Sequence, residues 1–126
     1  MLKILFAFAG LSAMTSVVMG AFGAHALRAS LEPRLMNAFE TGVTYQMTHS
    51  LALLIVCLAA EQWGRSLVID LAAIAFVVGI LMFSGSLYGL ALTGAKWLGP
   101  VTPLGGLSFI VGWLLLTIAI WKNASL

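Results

Sequence analysis

Ile4–Leu27 reads ILFAFAGLSAMTSVVMGAFGAHAL, 24 residues between Lys3 and Arg28 with no charged side chain. A helix rises 1.5 Å per residue, so this run can cross the roughly 30 Å hydrocarbon core of a bilayer. The pattern repeats along the chain. Glu40 and Glu61 enclose 20 uncharged residues, Asp70 and Lys96 enclose 25, and Lys96 and Lys122 enclose 25. Gly99, Pro100 and Pro103 break the start of the last run. The spacing predicts one domain over 1–126, with transmembrane helices near residues 4–27, 34–60, 68–94 and 103–121. Short connections favour antiparallel neighbours. The expected fold is all-α, an integral membrane four-helix bundle of up-down-up-down antiparallel topology.

Composition leads to the same class. Of 126 residues, 62% are hydrophobic and 8% are charged, against about 25% charged in a soluble domain. So few charges cannot coat a water-exposed surface, and disordered chains are polar rather than apolar. The net charge is +2, from six basic residues spread along the chain. No basic run exists, which excludes a nucleic-acid patch. Cys57 is the lone cysteine, so neither an internal disulfide nor a cysteine-based metal site is available. Lys3 and Ala24-His25-Ala26 loosely resemble a secretory signal. The apolar run exceeds the about 7–15 residues of a signal's hydrophobic core, so segment one reads as a retained helix.

Thr102-Pro103 reads as a helix N-cap followed by proline, and Glu32-Pro33 does the same for helix two. Trp63 and Trp121 are expected at one interface and Trp97 at the other. Trp113 falls inside helix four, where its indole N–H needs an acceptor or must face lipid. Lys3, Arg65 and Lys122 lie on one side and Arg28, Arg34 and Lys96 on the other, so the positive-inside rule gives no orientation.

Helices in lipid approach through small residues. Ser12, Ser16, Gly20 and Ala24 repeat every four residues in helix one. Helix three carries Gly85 and Gly89 in a GxxxG step that continues to Thr93. Helix four carries Gly105, Ser108 and Gly112. These residues are the expected packing faces.

Helix two is the informative segment. Residues 40, 41, 44, 45, 48 and 49 are polar and share one helical face, opposite Phe39, Val43, Met47 and Leu54, which suit lipid. Polar groups inside a membrane must be satisfied by neighbouring helices or water. His49 falls near mid-membrane at a depth Ser84 can share. His25 lies near the opposite interface, roughly 10–20 Å away in depth. The candidate intramembrane polar cluster is His25, Glu40, Thr41, Thr44, Tyr45, Gln46, His49, Ser84, Ser86 and Tyr88. The expected partner of Glu40 is Arg28 or His25, both near the end of helix one.

The two histidines differ in depth and no zinc spacing exists, so neither a metal nor another cofactor is expected. Gly-x-Ser-x-Gly, Walker and dinucleotide motifs are absent, and no catalytic residue is assigned. The leading reading is a non-enzymatic membrane protein. Its partners are the lipid bilayer and, through helix contacts, a second copy or a larger membrane complex. The alternative is a small homo-oligomeric transporter or channel that uses the polar face of helix two.

Four segments carry a resemblance. Gly20-Ala-Phe-Gly-Ala-His-Ala-Leu27, Thr41-Gly-Val-Thr-Tyr-Gln-Met-Thr-His49, Phe83-Ser-Gly-Ser-Leu-Tyr88 with Leu92-Thr-Gly94, and Thr102-Pro-Leu-Gly-Gly106 resemble, in order, the hallmark segments of the domain of unknown function 423 family. That family includes small bacterial inner-membrane proteins and the animal mitochondrial transmembrane protein 256. The resemblance implies a four-helix protein of the inner (plasma) membrane and supplies no biochemical activity.

Overall fold

The computed structural model describes residues 1–125. Among these, helices account for nearly everything and no strand is present. Four continuous helical segments are long and apolar enough to cross a membrane: α1, Leu2–Leu27; α2, Pro33–Trp63; α3, Leu67–Thr93; and α4, Val101–Asn123. A 3₁₀ turn, Lys96–Leu98, leads into α4.

The helix ends follow local chemistry. Pro33 opens α2, where its missing N–H costs nothing. The Ser66 hydroxyl accepts the Ile69 N–H at 3.3 Å and caps α3. Gly94 ends α3 with φ +71, a left-handed conformation natural to glycine, and its N–H bonds Leu90 O. Arg65 grips Asp70, in the first turn of α3, through two bonds of 3.0 and 2.7 Å. That hydrogen bonding, with the carboxylate's charge, raises the Arg65 pKa further. The start of α4 differs from expectation. The helix opens at Val101, and the Thr102 hydroxyl pairs with Ser86 at 2.6 Å instead of capping. Pro103 still lies in the first turn, where the N–H groups have no intrahelical acceptor.

Neighbouring helices touch in reverse order. Ser12 meets Gln46 while Arg28 meets Glu40, so α1 and α2 run antiparallel. Gly42 meets Tyr88 while His49 meets Phe76, so α2 and α3 do also. Gly79 meets Phe109 and Gly105 meets Phe83, giving the same for α3 and α4. The core runs along α2 and α3, through Leu53, Val56, Cys57, Phe76, Phe109 and Leu116. By contrast, α1 and α4 flank it and make no substantial contact with each other.

Two helices contain a π turn, at Gly23–Leu27 and Ile80–Ser84. Each inserts a residue and rotates the helix beyond it by about 100°. This corrects the expected packing faces. Gly85 is exposed, and a Cβ built there meets nothing within 4 Å. Ala24 also faces outward. Gly89 abuts Leu98 of the connection rather than a helix, and Gly20 makes a 3.4 Å contact with Val43. Ser12, Ser16, Gly105 and Gly112 are buried.

Close packing instead uses glycine sockets that receive aromatic rings. Phe109 fills the space at Gly79 and Phe76 that at Gly112, while Gly105 lets α4 close directly onto the Phe83 backbone. Phe39 lies on Gly23, and Tyr88 on Gly42. A β-carbon at any of these glycines would fall within 3 Å of its neighbour, closer than van der Waals contact allows.

Candidate functional site

The inner face of α2 carries Phe39, Gly42, Gln46, His49, Ser50 and Leu53, spaced by three and four and all buried. This face meets α1, α3 and α4. Phe39 is wholly buried, and Val43, Met47 and Leu54 are half-buried. The apolar face assigned to lipid therefore packs inward, because Gly42, Gln46 and Ser50 lie on the same side of the helix.

Gln46 is the hub. Its amide nitrogen donates to Ser12 O and to Thr15 Oγ1, each at 2.8 Å, reaching α1. Its carbonyl oxygen accepts the Tyr88 hydroxyl at 2.6 Å, reaching α3. Ser50 Oγ lies 2.7 Å from Ser12 Oγ and 2.6 Å from Gln46 O. Ser50 has one hydroxyl proton; when it goes to the carbonyl, Ser12 donates to Ser50. Ser84 donates to Gly42 O at 2.6 Å, tying α3 to α2 where the π turn aims it.

His49 is the second centre. Trp113 Nε1 donates to His49 Nε2 at 3.1 Å, so Nε2 carries the lone pair. Nδ1 then holds the proton and donates to Tyr45 O at 2.7 Å. The imidazole stacks on Phe109 with centroids 3.5 Å apart and lies against Phe76 and Tyr45. Both ring nitrogens are occupied. The indole of Trp113 thereby has the acceptor its position in α4 demands. Ser108 donates to Ala75 O at 2.7 Å and links α4 to α3.

The other candidate residues lie outside this network. Thr41 and Thr48 face outward and bond the carbonyls of Asn37 and Thr44 at 2.9 Å. Thr44 is exposed, as is His25 at the end of α1. Tyr45 is 42% exposed at the edge of the aromatic cluster. Ser86 pairs with Thr102 on α4, away from α2. Glu40 accepts a 3.0 Å bond from Arg28, one of its two expected partners. Sequence reasoning missed Thr15, Ser50, Phe109 and Trp113 as partners. The usable signal was Gln46 with Ser50, a polar i, i+4 pair in line with Gly42 and His49.

Among the described residues every buried side-chain nitrogen and oxygen has a hydrogen-bond partner. No group of three or more His, Cys, Asp or Glu side chains among them is placed to hold a metal.

Comparison with known proteins gives the family. The family described as "Protein of unknown function (DUF423)" matches residues 19–106. A UPF0382 membrane protein of Staphylococcus epidermidis is 44% identical over 123 residues, covering 98% of this chain and 99% of the relative. The UPF0382 membrane protein YwdK of Bacillus subtilis is 36% identical over 121 residues, covering 96% and 98%. A UPF0382 membrane protein of Haemophilus influenzae is 38% identical over 116 residues, covering 92% of each chain. No solved structure matches the chain. With four helices able to span a bilayer and bacterial membrane-protein relatives matched along nearly their whole length, the chain is a multi-pass inner (plasma) membrane protein and belongs to the DUF423 family.

Proposed function

We propose that this protein is non-enzymatic and acts through helix contacts in the membrane, with a second copy or within a larger membrane complex. One observation carries the reading: among the described residues every buried side-chain nitrogen and oxygen has a hydrogen-bond partner within the chain. Intramembrane polar groups engaged this way hold helices in register. Groups that carried substrate would need free partners or water. The outward faces of α1 and α4 are apolar, with Ile4, Leu11, Val17, Leu107, Ile110 and Leu114 exposed, and each flank offers a surface for another helix.

Thr41, Thr44 and Thr48 favour a second reading, since they place hydroxyls on the outer face of α2. Such a face lines a polar path only between copies, as in a homo-oligomeric transporter or channel. Two measurements separate the readings. Solubilised native membranes run on a blue-native gel should show the protein above its monomer mass. Proteoliposomes of the purified protein should show no more proton or ion flux than empty vesicles. A strictly monomeric protein in native membranes overturns the contact reading, and flux that disappears in Thr44→Val establishes the transport one.

A further inference from the structure

Between α2 and α4 an open groove of about 540 Å³ runs from Pro103 to Trp113. Tyr45, Phe83 and Phe109 form its aromatic wall, and Gly106 leaves a gap in its floor where other residues would place a side chain. Ten residues of α4 rise about 15 Å, half of the roughly 30 Å hydrocarbon thickness. The groove therefore spans one leaflet, the reach of one lipid chain. It is separate from the Gln46 network, and Tyr45 brings it the one phenol that joins none of the interhelical bonds described above. At the level of the shallow end, in the connections, Arg28 is paired with Glu40 and Arg34 lies 3.9 Å from Glu32. Lys96 is exposed at the turn leading into α4 and takes part in no ion pair among the described residues.

We propose that this groove is a specific site for an anionic phospholipid, with one acyl chain along Pro103–Trp113 and the headgroup phosphate at Lys96. The apolar aromatic wall and leaflet-length span select the chain. The uncompensated lysine at the shallow end selects the negative headgroup over a zwitterionic one, by about fivefold. Leu107 and Ile110 line the groove and also lie on the outward face of α4, so a lipid chain here and a second helix on that part of the face exclude each other.

Gly106 makes the site testable, because a Cβ there meets only the Phe83 ring, at 3.7 Å, an ordinary contact. A larger side chain can enter the groove without moving a helix. The full chain, purified in mild detergent with mixed phosphatidylglycerol and phosphatidylcholine, is examined by native mass spectrometry. Wild type should retain one phosphatidylglycerol. Gly106→Leu should lose it while keeping its thermal midpoint, and Lys96→Gln should retain lipid without headgroup preference. A second measurement holds even if Gly106→Leu fails to fold. With Trp63, Trp97 and Trp121 changed to Phe, brominated phosphatidylglycerol should quench Trp113 more than brominated phosphatidylcholine does. Equal quenching by both lipids, or equal lipid retention by wild type and Gly106→Leu, overturns the proposal. So does a stable dimer in which Trp113 is shielded from both lipids, since a second copy would then fill the groove.

Discussion

Gln46 joins three helices with one side chain, and its removal should be felt at both ends. Gln46→Leu leaves the Tyr88 hydroxyl without its acceptor and releases Thr15 and the Ser12 carbonyl. Hydrogen bonds between helices in lipid average about 0.6 kcal/mol and reach about 1.7. The expected loss is therefore about 1–2 kcal/mol, read from reversible unfolding in mixed micelles, and an unchanged unfolding curve would show that the hub is decorative. Glu40→Gln is the contrasting case. The Arg28–Glu40 pair is 68% and 47% exposed, and exposed pairs contribute about 0–1 kcal/mol. The amide can still accept from Arg28, so the variant should unfold within about 0.5 kcal/mol of wild type. This pair was legible in the sequence, because a five-residue connection brings the end of α1 beside the start of α2. The role of Gln46 was not. Counting polar residues put the working face of α2 at residues 40, 41, 44, 45, 48 and 49, of which only His49 is buried; threonine hydroxyls can return to their own helix. The buried side is marked instead by the glycine and aromatic positions around Gln46.

At the scale of the helices, the charge-free runs located all four spans, since the bilayer fixes helix length and excludes charges. Which small residues face inward was only partly legible. The π turn at Ile80–Ser84 rotates α3 just before Gly85, so a regular GxxxG count puts that glycine on the wrong side. No sequence period announces one inserted residue. The socket pairs give a sharp test. Gly105→Ala forces a β-carbon onto the Phe83 backbone nitrogen, and overpacking of this kind costs about 1–3 kcal/mol. Gly85→Leu enters open space and should leave thermal stability in detergent nearly unchanged. If Gly85→Leu proves the more damaging of the two, the packing of α3 on α4 is misassigned.

Over the whole molecule, polar ties and glycine sockets hold α2 and α3 at the centre, while α1 and α4 stand apart as apolar flanks. Among the described residues, no buried side-chain nitrogen or oxygen is left without a partner for a substrate or a chain of waters to take. A conduit would have to hydrate these same residues. Water-edited solid-state NMR of the protein in lipid bilayers reads this directly, by following polarisation from water to labelled side chains. Gln46 and His49 should receive none on the timescale at which exposed Lys96 and Trp121 are fully polarised. Rapid transfer from water to the Gln46 amide or the His49 ring would contradict a dry, self-satisfied core.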